Sequence, residues 1–198
     1  MPERLESFAA GEYYHVFNRG ALRQPLYHRS DLYHIFIDYA VRFANDYGVS
    51  IIALCLMPNH FHLIIRLDEG GDLSGFMCRL CHAFSMRSNR ALDRKGTAFE
   101  GRFKAKRVTD DVYFRRLCMY VHANPVKGGL VEHPMQWQYS SYSSTVRTNG
   151  SSPYDVRPII DEFGSQAAFE TELIDYCQRH QSEKHQGLVR SLGEMGLL

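Results

Sequence analysis

Two apolar runs, residues 50–56 and 61–67, are joined by a short connection containing Met57-Pro58-Asn59. Pro and Asn suit a turn better than a strand interior, so the pair reads as an antiparallel hairpin. Alternate side chains of a strand point to opposite faces, which fixes the second run: Phe61, Leu63, Ile65 and Leu67 form one wholly apolar face. That face must be buried. His60, His62, Ile64 and Arg66 then share the other face, with two imidazoles roughly 7 Å apart at the backbone, close enough to converge on one ion. In a chain with ten histidines, two ordinary surface or core histidines are the alternative.

The rest of the chain places this hairpin in a larger pattern. Residues 13–18 are rich in strand formers and end at Arg19-Gly20, a turn signal. Ser30 or Asp31 is suited to cap a helix in which Leu32, Ile35, Phe36, Tyr39, Ala40 and Phe43 recur at helical spacing, ending near Gly48. A second helix is expected over residues 72–91, then a strand over 98–108 with alternating basic positions. Thr109 or Asp110 caps a last core helix that reaches Asn124, where Pro125 disfavours continuation. The order β-α-β-β-α-β plus a helix predicts an α+β fold: a ferredoxin-like split βαβ antiparallel sheet with helices on one face, its other face free for a site or a further helix. Residues 140–158 read as a turn-rich linker, dividing a domain of residues 1–149 from an acidic, mostly helical appendage at 150–198.

The net charge of +1 conceals two opposed regions. Residues 84–116 carry ten basic and four acidic side chains, whereas the stretch from Gly150 onward carries eight acids and four bases. Five cysteines, an odd number set mostly among apolar residues, argue against a disulfide framework. Cys78-Arg79-Leu80-Cys81 lacks a second pair and reads as structural burial within a helix. No run has transmembrane length and the first residues lack a signal-peptide stretch, so a cytoplasmic protein with no membrane partner is expected. Residues 96–103 miss a P-loop, with Arg102 and Phe103 where Lys and Ser or Thr are required.

On the last core helix, Tyr120 and Asn124 are four residues apart and share a face, so a phenol and a carboxamide could reach a pocket centred on the histidine pair. With twelve tyrosines in the chain, an amphipathic core role for Tyr120 is the plain alternative. His15 reads as a packed or hydrogen-bonded histidine, and His122 and His133 as bystanders.

Four segments, Tyr14-His15-Val16-Phe17-Asn18-Arg19-Gly20, Met57-Pro58-Asn59-His60-Phe61-His62-Leu63, Glu100-Gly101-Arg102-Phe103-Lys104 and Tyr120-Val121-His122-Ala123-Asn124-Pro125-Val126, stand in that order, followed by Trp137 to Tyr142 with its paired serines. They resemble REP-associated tyrosine transposases, within the single-tyrosine HUH transposases and nucleases. The resemblance implies that His60 and His62 bind a divalent metal, Mg²⁺ or Mn²⁺, with Asn124 as third ligand where related enzymes more often carry glutamine. It implies that Tyr120 is the nucleophile, forming a 5′-phosphotyrosine link. The implied partner is single-stranded or hairpin DNA of repetitive extragenic palindromes, which Asn18 and Arg19 could contact near the site. Arg102, Lys104 and Lys106 alternate along the strand and share one face suited to phosphate contacts, with Arg107 beside them; an ordinary solvated edge strand is the alternative. A monomer is implied, with the dimer of related insertion-sequence enzymes as alternative. Two other readings stay open: a palindrome-binding protein without chemistry, and a hydrolase that uses water while Tyr120 is structural.

Overall fold

The computed structural model describes residues 7–147 and 152–194, with side chains described to residue 181. Its centre is a four-stranded antiparallel sheet: β1 (Tyr13–Arg19), β2 (Val49–Met57), β3 (His60–Leu67) and β4 (Lys104–Arg107), in the spatial order β2-β3-β1-β4. Two interleaved β-α-β units give this order, as the element sequence predicts. Helices α1 (Ser30–Asp46) and α2 (Leu73–Ala91) make the two crossovers. The chain continues through α3 (Asp111–Lys127), α4 (Tyr142–Val146), α5 (Arg157–Phe163) and α6 (Gln166–Glu194).

Strand alternation sorts the core into two layers. Phe61, Leu63, Ile65 and Leu67 are buried in one cluster with Phe36, Phe43, Phe76, Leu80 and Phe84 of α1 and α2. Ile64 lies in the other cluster with Phe114, Leu117, Val121 and Val126 of α3. In β2 the register shifts between Ile51 and Ala53. That irregularity lets Ile51 and Leu54 face the α1–α2 layer while Ile52 and Ala53 face α3.

Several expected boundaries move, each for a local reason. Ser30 opens α1 rather than capping it; Arg29 holds the cap position without a side-chain cap bond. Asp72 and Asp110 do cap, accepting from the Gly75 and Tyr113 amides at 2.8 and 2.7 Å. The strand expected over 98–108 shrinks to β4, because of the residues before it only Phe99 bridges, to Gly20. Helix α3 runs three residues past Asn124 with Pro125 inside it. The proline sits in the last turn, where its fixed φ is helical and one missing N–H costs a single bond. The edge of β2 is covered by residues 139–141, with Leu56 bonded to the Tyr139 carbonyl at 2.9 Å and Ser141 bonded back to Leu54 at 2.8 Å.

The expected division near residue 149 is not a division of packing. Ile159, Phe163, Phe169, Leu173 and Cys177 are buried in the same cluster as α3 and the sheet. Residues 150, 151 and 195–198 of the expected appendage lie outside the described residues, as do residues 1–6 of the N-terminus. The Cys78–Cys81 pair also departs from expectation: Cys78 is exposed and Cys81 half-buried, burial raising the Cys81 thiol to about 12. All five cysteines are free thiols.

Candidate active site

The site forms at the hairpin end of the sheet, on the α3 face. Cross-strand register sets Phe17 opposite both His62 and Lys104, and His15 opposite Lys106. Directly paired residues share a face, so His15, Phe17, His62, Lys104 and Lys106 look toward the same side. Helix α3 passes over this row and brings Tyr120 down to it. The Tyr120 ring lies edge-on to His62 with centroids 5.2 Å apart, and the His60 and His62 rings are 5.1 Å apart. His60, His62, Tyr120, Asn59, Arg19, Arg23 and Lys104 line a common cavity of about 560 Å³.

The hydrogen bonds of the two histidines are unequal. His60 Nδ1 meets Asn59 Oδ1 at 2.7 Å. His62 Nδ1 meets His15 Nε2 at 2.9 Å in a buried contact. His62 Nε2 is buried with no hydrogen-bond partner among the described residues. Leaving a buried polar nitrogen unpaired costs about 1–3 kcal/mol, so a site that keeps one has a use for its lone pair or its proton. All three imidazoles favour the neutral form. His62 is held well below the usual histidine range by burial, then by His15 and His60; His15 falls to about 4 through burial and the facing Lys106; burial also lowers His60. Neutral imidazole is the form that ligates metals.

These groups fit a divalent cation. Among the described residues no group of three or more His, Cys, Asp or Glu side chains is placed to hold a metal. Asn124 is buried on α3 one turn beyond Tyr120, and its Nδ2 donates to the Tyr120 carbonyl at 2.9 Å. Asn124 is not among the residues lining the cavity of His60, His62 and Tyr120, so of the three expected ligands the structure brings the two histidines together there.

The expected DNA-contacting residues divide into two kinds. Lys104 and Lys106 are exposed on the site face, and Arg102 is exposed just before β4. Asn18 is buried and internally bonded, its Nδ2 to the Gly101 carbonyl at 3.0 Å and its Oδ1 to the Arg19 amide at 2.9 Å. This ties β1 to the loop before β4, and Asn18 also lines the cavity. Arg19 pairs bidentately with Glu100, and Arg107 pairs with Glu12 at 2.5 Å. Gly20 follows, where any Cβ would run into the Gln24 carbonyl, so the chain turns away from the site at the one residue small enough.

Three neighbours of the site are not among the residues that the sequence points to as ligand, nucleophile or DNA contact. His15 is a direct partner of His62, and only the pairing of β1 with β3 reveals it. Lys127 sits with Nζ 5.2 Å from the Tyr120 ring centre and 3.2 Å from the Tyr176 hydroxyl on α6. Phe17 packs against His62 and His15. His122, by contrast, is wholly buried, bonded to the Cys118 carbonyl and Ser141 Oγ at 2.9 and 3.0 Å. His133 caps the short turn at Pro134–Gln136. A larger cavity of about 700 Å³ opens at the opposite end of the sheet. Its lining includes Asp110, Asp111, Asp155, Asp161 and Glu162 together with Arg66 and Arg157, which both pair with Asp155.

An antiparallel α+β sheet carrying a histidine pair beneath a tyrosine-bearing helix defines the class. The chain belongs to the family of IS200-like transposases, whose profile matches residues 10–124. A REP-associated tyrosine transposase of Haemophilus influenzae is 28% identical over 113 residues. Those residues are 51% of this chain and 63% of that protein, so the chain spans a little under two thirds of the length of the relative it matches. The fold is also that of a solved REP-associated tyrosine transposase bound to a REP hairpin, with a TM-score of 0.63 and 22% identity over 79% of this chain and 93% of that one. Among the described residues no helix is long and apolar enough to cross a membrane.

Proposed function

We propose that this protein is a metal-dependent single-stranded DNA endonuclease and strand transferase that acts on palindromic, hairpin-forming repeats, as a monomer in the cytoplasm. The observation that carries the reading is the buried, unpartnered His62 Nε2, beside His60 and the Tyr120 ring in one cavity. His60 and His62 would hold Mg²⁺ or Mn²⁺, with Asn124 Oδ1 as third donor. Bound there, the cation supplies Lewis-acid polarisation of the scissile phosphate. The names of the related proteins above, a REP-associated tyrosine transposase and one bound to a REP hairpin, support palindromic DNA as substrate here.

The chain's own residues perform the rest. Tyr120 Oη forms a bond to phosphorus as the bond from phosphorus to the 3′-oxygen breaks. The phenol proton goes to solvent, and the departing oxygen takes a proton to become a 3′-hydroxyl. The 5′-phosphate stays on the tyrosine, so a later 3′-hydroxyl reverses the step with no nucleotide cofactor. Lys104 and Lys106 would hold flanking phosphates on the site face without reading sequence. His60, His62 and Tyr120 of one chain share a cavity, which supports a site formed within one copy.

Metal dependence tests this reading. End-labelled hairpin DNA with single-stranded flanks is incubated with the protein in Mg²⁺, Mn²⁺ or excess chelator, and the products are resolved with their ends assigned. Cleavage that leaves a free 3′-hydroxyl, needs metal and disappears in both His60→Ala and His62→Ala is expected. Cleavage that persists in chelator or in His62→Ala would reject the assignment.

A further inference from the structure

We infer that His15 is a positioning residue: its Nε2 accepts the Nδ1–H of His62 and so turns the His62 Nε2 lone pair toward the metal site. The inference rests on the proposed reading of His62 as a ligand and deepens it.

The geometry carries the argument. His15 Nε2 and His62 Nδ1 lie 2.9 Å apart, and both rings are buried. The rings are nearly parallel, with centroids 5.1 Å apart and planes 28° apart. One proton lies between two neutral nitrogens, so one must donate and the other accept. If His15 donates, His62 accepts at Nδ1 and carries its own proton on Nε2. That proton then points from a buried nitrogen at no acceptor among the described residues. If His62 donates, Nε2 is a bare lone pair, the state a cation binds, and the unpaired atom becomes the binding atom. The second arrangement turns a buried deficit into a ligand. Metal-bound imidazoles commonly have their other nitrogen fixed in this way, although the usual acceptor is a carboxylate or carbonyl.

The architecture holds His15 to that task. It sits in the middle of β1, between β3 and β4, so its backbone is bonded on both sides. Phe17 packs on its ring at 4.8 Å and Tyr120 approaches its edge at 6.2 Å. His15 thus touches both the ligand and the nucleophile while lying outside the cavity that holds His60, His62 and Tyr120.

The test measures the His62 tautomer by long-range ¹H–¹⁵N correlation on the full-length protein, without metal or DNA, and Mn²⁺ affinity by calorimetry. The expected result in the unsubstituted protein is His62 as the Nδ1–H tautomer before any metal is added. Replacing His15 by Phe is expected to lose that tautomer preference and weaken Mn²⁺ binding about 10- to 100-fold. His15→Gln, whose amide oxygen also accepts, is expected to recover most of both. A His62 found as Nε2–H in the unsubstituted protein overturns the inference, as does Mn²⁺ affinity unchanged in His15→Phe or equally poor in His15→Gln and His15→Phe. Should His15→Phe fail to fold, the tautomer of the unsubstituted protein alone decides. Loss of the parent reading looks different: Mn²⁺ binding would then be indifferent to His62→Ala.

Discussion

The two faces of the sheet are built under different rules. On the α1–α2 face, β3 presents four apolar side chains, and Phe36, Phe61, Phe76 and Phe84 are fully buried. On the α3 face, β3 presents His60, His62, Ile64 and Arg66, of which only Ile64 joins the core. Burial of a large apolar side chain contributes about 1.5–3 kcal/mol, so the first face supplies stability at nearly every position. The second gives up positions to imidazoles, one of which keeps an unpaired buried nitrogen. The α3 face recovers packing farther along, where α5 and α6 lay Ile159, Phe163, Phe169 and Leu173 against α3. One strand thereby separates stability from chemistry by alternation alone.

That contrast can be broken most forcefully in the core. Phe61→Ala should cost about 3–5 kcal/mol in chemical denaturation. Phe169→Ala on α6 should cost a similar amount if residues 166–177 are part of the same core; a loss below about 1 kcal/mol would restore the picture of a detachable appendage.

A smaller effect comes from the buried imidazoles. Burial holds His122 down at about 4, against an ordinary value of 6.5. The unfolded chain therefore binds a proton that the folded chain refuses between these values, and stability falls as pH drops from 6.5 toward 4. Each such histidine contributes at most about 1.4 kcal/mol per pH unit in that window, and nothing above it. Denaturation at a series of pH values should give a gentler slope for His122→Gln, by up to one proton; an unchanged slope would mean His122 titrates normally in the folded protein.

The smallest expected change is the most telling. His62→Leu should leave stability within about 1 kcal/mol, because removing an unpaired buried nitrogen offsets the lost bond to His15. The same substitution should end metal binding. A loss as large as that of Phe61→Ala would mean that His62 is held for packing.

Much of this contrast could be read from residue order. The hairpin and its two faces follow from the alternation of residues 60–67, and the strand order follows from the element sequence. The shortness of β4 could not be read, since Arg102 continues the alternation of Lys104 and Lys106 although the ladder with β1 begins only at Lys104. The core role of α6 was hidden by charge. Phe169, Leu173 and Cys177 recur every four residues, a buried helical stripe set among acidic residues that draw the eye to solvent. At the site, His60, His62 and Tyr120 are legible as motifs, whereas His15 becomes a partner of His62 only once β1 is laid beside β3. Asn18 adds what its residue type alone does not tell: it lines the cavity and at the same time bonds Gly101 and the Arg19 amide.

The central claim is that the tyrosine carried over the histidine face makes the bond to DNA. Full-length protein and Tyr120→Phe are incubated side by side with end-labelled hairpin DNA and Mn²⁺, then run on a denaturing gel. A protein-linked DNA band in the unsubstituted protein that falls by on the order of 10³-fold or more in Tyr120→Phe is the predicted result. Free cleaved DNA at equal yield in both proteins, with no linked band, would contradict the account and leave a hydrolase that uses water.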